Sequence, residues 1–500
     1  DYNKRRGYLR LGAGTYMNLT GDFGYHALST ATDQLSIAFS HRSANGNVKY
    51  IQLPDEKVKA KINDNLGGLK YAHAFEKASL NVGLNYGYSA YNYYGLSMLS
   101  FSSLPMQDLL NKADRETNQV NQTIAATLGV ESKEDADLAY LVDLGFVNFS
   151  RKYGISKDTD GPKETTIEAK VNVSKRFNGD MRFGLEALVE YFNYSLPAEK
   201  ALPNGGLYIC EFENHAEVAL HPYYEVEGEN WKVRLGANVM LKTGDESLFM
   251  ATPNVAANFE VADKTELYIK ANGKLYSNSM YEMSKINRYL PAEELTPSRN
   301  WLDGVLGIKS GVAPGFWFDI FAGYKMTSDD VLFVPGRTFE EGGFGNFSEA
   351  MSGINTKQLF VGASLKYSYQ QLFELTLKGQ YNNWKAEYGD EWIGFSDSSL
   401  EHAWGKPEME LNAGVMVRPM DKLAVALDYS LATGRYTLLA GADLYKMNNI
   451  NELNLTATYT LNDTFGFYAK VNNLLSQKYE LYYGYPMQRL SAQVGVNINF

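Results

Sequence analysis

The sequence lacks features that stabilise other classes of protein or insert them into membranes as helices. It has one cysteine, Cys210, among 500 residues, so no internal disulfide stabilises the fold. It has no apolar run near the roughly 18–20 residues that a membrane-spanning helix needs, which excludes helical insertion. Its formal net charge of −11 argues against a nucleic-acid partner, because phosphates require a basic surface.

Motifs of catalytic chemistry are also missing. There is no Gly-x-Ser-x-Gly nucleophile elbow, no His-Glu-x-x-His zinc pair and no phosphate-binding Gly-x-x-x-x-Gly-Lys loop. His215 and His221 fall on one face of a predicted strand but about 20 Å apart, too far for one metal ion. The run 158–161 has part of a calcium-loop pattern and lacks the remaining ligand spacing. We therefore predict that the chain is not an enzyme and holds no resident cofactor or metal.

The residues that are abundant favour strands and turns. The chain has 36 Tyr, 25 Phe and 44 Gly against 14 Pro. Its last stretch, 490–500, alternates without a slip between small or polar residues and apolar ones. The apolar members are Leu490, Ala492, Val494, Val496, Ile498 and Phe500. Period two predicts a strand with one wet face and one dry face.

Similar alternation recurs along the whole chain and predicts about 22 strands. The connection 178–180, Asn-Gly-Asp, is a strong hairpin signal between two of them. The predicted strands are 7–17, 22–29, 34–42, 67–76, 78–92, 120–131, 138–152, 164–177, 181–194, 212–226, 231–242, 253–261, 265–277, 301–312, 316–327, 354–369, 371–384, 406–418, 422–432, 450–460, 464–472 and 486–500.

The connections between these strands alternate in length. One set has mostly two to six residues, and the other is generally longer and richer in Pro, Gly, Trp and acidic side chains. A membrane barrel requires this asymmetry and a soluble sandwich, the competing all-β fold, does not. No fixed period typical of a propeller is present. We predict an all-β chain, a transmembrane antiparallel β-barrel of about 22 strands over residues 1–500, with short periplasmic turns and long extracellular loops.

Motifs at both ends of the chain resemble a known family. The C-terminal motifs are Val-Asn-Asn-Leu-Leu at 471–475, Lys-Tyr at 478–479, Tyr-Pro at 485–486, Arg489 and the final Phe500. Together they resemble the closing hairpin of TonB-dependent receptors. The run 7–14, Gly-Tyr-Leu-Arg-Leu-Gly-Ala-Gly, is similar to the first barrel strand of TonB-dependent-receptor-like proteins of Bacteroidota. One departure is Gln488, where the family often has Gly before the arginine.

The resemblance implies nutrient uptake across the outer membrane of a Gram-negative bacterium. It implies outer-membrane lipid as the surroundings and TonB as a partner, engaged through an N-terminal plug. The alternative is a non-transporting barrel that serves as a structural subunit of an assembly or surface complex, with lipoprotein or other outer-membrane protein partners. The substrate stays open.

The start of the sequence bears on how the lumen is closed. The given sequence begins almost at the first predicted strand, and residues 1–3 show no signal peptide. We therefore expect a barrel portion without a plug in this chain. A barrel of this strand number has a lumen too wide for its side chains to fill. Three possibilities follow: a plug of the same gene product outside this chain, a partner or inward-folded loops that occlude the lumen, or an open conduit.

Two sets of residues are candidates for ligand contact. The first is the predicted external loop 384–404, where aromatic faces beside carboxylates suit sugars or organic ligands. Its ligand-binding candidates are Trp384, Tyr388, Trp392 and Trp404. The alternative is that these rings form the interfacial girdle or pack the loops together. The second set lies on the polar face of the predicted strands and serves either solvation and plug docking or selectivity for the ligand. Its members are Lys232, Arg234, Glu168, Lys170, Glu266, Lys270, Lys366, Glu374 and Lys378.

The end of the chain also resembles an assembly signal. Phe500, with Ile498 and Val496 before it, is similar to the C-terminal signal by which the assembly machinery recognises outer-membrane barrels. For these residues we expect a role in insertion and not in ligand affinity.

Overall fold

Most strands of this protein close into a single ring, and four short ones, Lys200–Ala201, Leu207–Tyr208, Tyr436–Leu438 and Leu444–Lys446, form two small hairpins outside it. The computed structural model describes residues 5–96, 118–133, 136–155, 157–201, 207–336, 347–389, 400–439 and 444–500. Within them, 22 strands form one antiparallel sheet in which each strand pairs with the next along the chain. The first strand also pairs with the last, from Tyr8 opposite Asn499 to Gly14 opposite Gln493. The predicted transmembrane-type β-barrel of about 22 strands is confirmed.

The barrel strands are numbered in chain order. The first eleven are β1 (Gly7–Gly14), β2 (Leu19–Ser29), β3 (Asp33–Lys49), β4 (Lys57–Ala74), β5 (Ala78–Asn92), β6 (Asn118–Ser132), β7 (Leu138–Arg151), β8 (Lys163–Phe177), β9 (Met181–Ser195), β10 (His215–Glu227) and β11 (Trp231–Lys242). The other eleven are β12 (Leu248–Ala262), β13 (Thr265–Tyr276), β14 (Ser298–Ser310), β15 (Phe316–Pro335), β16 (Ser348–Tyr369), β17 (Phe373–Glu387), β18 (Met409–Met420), β19 (Leu423–Thr433), β20 (Ile450–Thr460), β21 (Phe465–Asn472) and β22 (Ser491–Asn499).

Side chains alternate between the outside and the inside of the ring. On β22, Val494 points outward and is 66% exposed, whereas Gln493 is buried inside and donates to Thr20 Oγ1 at 2.7 Å. The outward face carries large exposed apolar residues around the ring, among them Leu84, Leu144 and Val361. In a bilayer, hydrocarbon covers such a band.

The inward face is polar and charged. The nine charged residues predicted for the lumen lie on the inward parity of their strands. Several pair across neighbouring strands, as Lys232 does with Glu225 at 3.0 Å and Lys309 with Glu266 at 3.5 Å. These pairs keep a charged wall solvated and locally neutral.

The two ends of the barrel differ in their connections. At one end, the turn rim, strands join through two to five residues, as at 178–180, where Asn178 and Gly179 have positive φ. At the other end, the loop rim, connections are longer, as at 277–297 and 473–490. The predicted alternation is confirmed, although the loop-rim connections 15–18 and 243–247 are as short as turns.

Some strand boundaries differ from the prediction. The connection between the predicted strands 34–42 and 67–76 is mostly strand, because β3 continues to Lys49 and β4 begins at Lys57. These strand ends rise beyond the apolar band, where the outward face is polar and the apolar residues, among them Val48, Val58 and Ala60, pack inward against the loops. The last strand begins at Ser491 and not at 486, since residues 486–490 belong to a loop.

Helices are few in the part of the chain that the structure describes. One α-helix, α1 (Met280–Ile286), and a 3-10 turn at Thr15–Met17 lie at the loop rim. Neither has the length and hydropathy that would let a helix cross a membrane. Residues 104–110, whose sequence Leu-Pro-Met-Gln-Asp-Leu-Leu predicts a short loop helix, lie outside the described residues.

Hydrophobic clusters lie among the loops and the strand ends of the loop rim. One contains Tyr50, Tyr94, Leu96 and Tyr485. Another surrounds Trp404 and is described below. The barrel wall needs no central hydrophobic core, because its apolar residues face outward, so burial is concentrated where loops meet.

A candidate functional site in the lumen

The connection 277–297, here called the strap, begins with the helix α1. Its sequence contains a capping box, in which Ser279 Oγ accepts from the Glu282 N–H at 3.3 Å. Glu282 lies in the first turn and Lys285 in the last, which suits the helix dipole at both ends. Local sequence therefore specifies this short helix.

The wall of the barrel holds the start of α1. The carboxylate of Glu164, on β8, accepts from the N–H groups of Met280 at 2.8 Å and Tyr281 at 3.2 Å. A helix leaves these first N–H groups without internal partners. The Tyr281 ring lies 5.3 Å from the ring of Phe149 on β7, measured between centroids. The helix is therefore fixed against β7 and β8.

The strap then crosses the lumen. Arg288 donates through two nitrogens to Asp64 on β4, at 3.2 and 2.9 Å. The strap starts at β13 and ends at β14, which lie nearly opposite β4 in the ring of 22 strands. A bidentate arginine–carboxylate pair fixes orientation as well as distance. Opposite walls are thus joined through the bore near the loop rim.

Aromatic rings join the strap to the loop 473–490. Tyr289 stacks on Tyr485 with centroids 3.9 Å apart and an interplanar angle of 19°. Tyr94 meets the Tyr485 ring edge-on at 5.0 Å, and Tyr482 donates its hydroxyl to the Ile286 carbonyl at 2.7 Å. Edge-to-face and offset pairs of this kind add to the stabilisation from burial alone.

The C-terminal motif used for the family resemblance shapes that loop. Asn473 has a φ of 51°, and its N–H donates to Asn454 Oδ1 at 2.9 Å. Its side-chain amide donates to the carbonyl of Gln477 at 2.9 Å and to that of Gln488 at 3.3 Å. The interaction uses the backbone of Gln488, so the departure from the family pattern leaves this contact in place.

A cavity of about 720 Å³ lies between the strap and the inner wall formed by β3 to β7. Five polar residues occupy directly opposed positions on these strands, and four of them line the cavity. We call them the polar row: Arg42, Asp64, Ser89, Asn121 and Arg151. Rings of the strap and of the loop 473–490 cover the same cavity. The cavity therefore combines charge, amide and aromatic surfaces.

The lining of the cavity is electropositive. It contains Arg42, Lys285 and Arg288 but one carboxylate, Asp64. Asp64 is already engaged, because it accepts from Arg288 and also from Ser89 Oγ at 2.6 Å. Among the described residues, neither Arg42 nor Lys285 has a carboxylate partner, although Lys285 lies 4.0 Å from the Tyr281 ring centroid.

Asn121 contributes a buried hydrogen-bond acceptor to the wall of the cavity. Asn121 is 6% exposed, and its Nδ2 donates to the Tyr91 hydroxyl at 3.3 Å. Its Oδ1 receives no hydrogen bond from any of the described residues. A buried acceptor without a donor is costly, and such groups commonly meet water or a ligand.

A second buried acid supports the loop 473–490. Glu480 accepts from Gln52 Nε2 and from the Gly484 N–H, both at 2.9 Å. Burial raises the pKa of Glu480 to about 7, against the opposing effects of these two donors and of Arg435. Removal from water disfavours the ionised carboxylate.

Three of the predicted loop aromatics lie in a packed cluster. Trp384 Nε1 donates to the Pro407 carbonyl at 3.2 Å, and Tyr388 donates its hydroxyl to the His402 carbonyl at 2.6 Å. Trp404 is 1% exposed, and its ring centroid lies 4.6 Å from that of Tyr388. These rings therefore contact protein. Trp392 lies outside the described residues, and ligand binding by this loop stays a prediction.

The remaining predicted residues lie apart from the cavity. His215 Nε2 is 3.3 Å from Glu217 Oε1, and His221 Nδ1 is 2.6 Å from Asn238 Oδ1, so the two histidines have separate partners. The C-terminal residues Val496, Ile498 and Phe500 lie at the seam with β1. The Phe500 carbonyl accepts from the N–H groups of Arg6 and Gly7 at 2.7 and 2.8 Å.

The sequence interpretation missed the residues that form the cavity. Asp64 lies between the predicted strands 34–42 and 67–76, and no sequence pattern singles out Arg42 or Asn121 within their predicted strands. Two signals were present: the capping box at 279–282, and the inward parity of Arg42. The meeting of the strap with Asp64 depends on contacts between distant segments, which no local pattern encodes.

The fold and the lumen define a class of protein, a large closed barrel with an apolar outer band and a strapped bore. No family model and no curated protein matches the chain. Solved structures do match in fold. The ferric-catecholate import receptor Fiu from K12 E. coli is 10% identical with a TM-score of 0.71, covering 100% of this chain and 82% of that one.

Two further structures agree. The FrpB iron transporter from Neisseria meningitidis is 9% identical with a TM-score of 0.74, and the match covers 100% of this chain and 82% of that one. The copper transporter OprC is 12% identical with a TM-score of 0.69, over 99% of this chain and 80% of that one. At these identities the likeness shows a shared fold.

Proposed function

We propose that this chain is an uptake barrel of a Gram-negative outer membrane, in which a small nutrient enters the lumen when the strap leaves the opposite wall. The observation that carries the proposal is the Arg288–Asp64 contact, which holds the strap across the bore above a polar cavity. The import receptor and the transporters that share the fold also support a role in uptake.

We further propose that TonB supplies the energy for strap release, through a plug domain. The closing-hairpin motifs that resemble TonB-dependent receptors support this step. The chain itself acts in passage of the solute and has no catalytic role. In a structural subunit of a surface complex, by contrast, the strap would need no second position.

Electrical conductance in planar bilayers tests the proposal. In one variant, residues 279–290 are replaced by a Gly/Ser linker of equal length, so that both barrel walls keep their strands. In the matched control, the loop-rim connection 243–247 receives the same treatment. We expect low conductance for the wild type and the control, and at least several-fold higher conductance for the strap variant.

The same preparations in liposomes test passage of solute. Entry of neutral and charged disaccharides is followed in vesicles that contain wild type, strap variant or control. Faster entry with the strap variant alone supports a gate. Equal conductance and equal entry in all three proteins would contradict the uptake role and favour a scaffold.

A further inference from the structure

The cavity beneath the strap has an excess of positive charge. The whole chain is acidic, with a formal net charge of −11, yet three cations and one carboxylate line this cavity. Elsewhere in the lumen, cations such as Lys232 and Lys309 lie beside glutamates on neighbouring strands. An electropositive enclosure within an acidic protein attracts and concentrates anions.

The position of Arg42 shows that this excess is local. Arg42 lies directly opposite Asp64 in the pairing of β3 with β4, where an ion pair would be expected. Asp64 instead pairs with Arg288 from the strap, through two hydrogen bonds. Among the described residues, Arg42 and Lys285 are consequently left without a carboxylate while both face the cavity.

A neutral hydrogen-bonding position lies along the same row. Asn121 lines the cavity, and its buried Oδ1 receives no hydrogen bond from the described residues, so this side chain suits a hydroxyl or amine donor on a ligand. Arg42 and Asn121 are separated by three strand spacings, about 14 Å between backbones. Allowing for the reach of the side chains, this span fits a ligand of about two sugar rings.

Aromatic faces complete the enclosure. Tyr281 and Tyr482 line the cavity together with four residues of the polar row. Tyrosine rings stack against the apolar faces of sugar rings while the hydroxyl groups at the edge of the sugar are hydrogen-bonded. The cavity therefore offers the three kinds of contact that an acidic sugar uses: cations, an acceptor and ring faces.

We propose that the cavity binds an anionic oligosaccharide of about two rings, a sugar that carries a carboxylate or a phosphate. Arg42 and Lys285 bind the acidic group, Asn121 Oδ1 accepts from a hydroxyl, and the tyrosines contact the ring faces. This inference rests on the uptake role proposed above and names its substrate class. It assigns the cavity residues a specificity-determining role.

Calorimetric titration of the full purified chain in detergent tests the inference, since both ends of the barrel are then open to solution. The probes are two matched pairs, trehalose 6-phosphate with trehalose and cellobiouronate with cellobiose. We expect at least one charged probe to bind at least tenfold more tightly than its neutral counterpart. Raising the salt concentration from 20 to 300 mM should reduce that preference, because screening weakens charge attraction. The pair with the larger preference tells phosphate from carboxylate.

Variants with equal charge changes supply the control. The double variant R42Q/K285Q removes the two unpaired cations, and K232Q/R234Q removes two cations near the turn rim. We expect the first to lose at least tenfold in affinity for the charged probe and the second to lose less than twofold. An N121L variant should weaken binding of neutral and charged probes alike.

The outcomes separate this inference from the uptake role. Equal affinity for charged and neutral probes, equal losses in both double variants, or no binding of any probe would overturn the inference. Faster passage of neutral sugars through the strap variant in liposomes would still support uptake. Conversely, selective binding of a charged probe with no solute entry in any variant would leave the site in place and contradict the uptake role.

Discussion

Glu480 shows how strongly the loop rim depends on single buried groups. Its side chain lies in the loop 473–490, 1% exposed, among donors from Gln52 and Gly484. Arg435 is close by, but it donates to the backbone carbonyl of Glu480 at 2.9 Å. The carboxylate is therefore only partly compensated for loss of water, which is why its pKa rises to about 7.

This raised pKa predicts a pH-dependent loop. A carboxyl group whose pKa is higher in the folded than in the unfolded chain adds stability that is fully present below about pH 4.5 and is lost as pH rises through about 7. We expect amide hydrogen exchange in 473–490 to become several-fold faster between pH 6 and pH 8, after correction for intrinsic exchange rates.

The variant E480Q tests the cause, since it keeps the shape of the side chain and removes its ionisation. Its loop should exchange at nearly the same corrected rate at both pH values. An unchanged pH dependence in E480Q would assign the effect to another group.

At the scale of the element, the strap is held by contacts of different kinds at its two ends. Glu164 satisfies the start of α1, and Arg288 reaches Asp64 on the far wall. Both side chains of the latter pair are about three-tenths exposed, so solvent weakens their attraction. This end is consequently suited to release, while the helix stays attached to β8.

Removal of the far contact should loosen the strap without unfolding the barrel. For R288Q we expect docking to weaken by roughly 1–2 kcal/mol, which corresponds to about tenfold faster amide exchange in α1. The matched variant R234Q breaks a contact with Glu225 near the turn rim, and its strap should exchange as in the wild type. Wild-type protection of α1 in R288Q would show that the aromatic contacts alone hold the strap.

Elements were predictable from the sequence wherever one side of a strand meets an apolar surrounding. The strands 78–92, 231–242 and 450–460 have the predicted boundaries, because alternation persists along their whole length. Prediction failed at 43–66, where beyond the apolar band the outward face is polar and apolar residues such as Val48 and Val58 face inward against the loops. The position of the strap is not encoded locally, since it depends on partners more than two hundred residues away, such as Asp64 for Arg288.

At the scale of the whole molecule, closure of the barrel depends on the seam, the pairing of β1 with β22. At Gly12 an added Cβ would lie 2.0 Å from the Tyr468 hydroxyl, so the ring of Tyr468 fits there only because the residue is glycine. The final residue extends the seam, as Phe500 N–H donates to the Gly7 carbonyl at 2.9 Å. Its ring stacks near Phe23 and Tyr25 at 6.4 and 6.3 Å.

Deletion of Phe500 should therefore impair assembly of the barrel. We expect several-fold less heat-modifiable protein in the outer-membrane fraction, because the last backbone pairings with β1 and the terminal aromatic are both lost. The substitution F500Y keeps the backbone and the ring and should preserve the wild-type level. A normal membrane level of the truncated protein would defeat this prediction.

The strap also has a mechanical consequence for the cylinder that contains it. A contact that joins opposed strands, like the one that the strap makes from β13 and β14 to β4, resists flattening of the ring along that diameter. Each release of the strap from Asp64, as proposed above, would therefore make the cross-section of the barrel easier to deform. Bilayer tension and lateral crowding act on the barrel wall from outside. Through the elasticity of the barrel, they would then shift the equilibrium between the attached and the released strap.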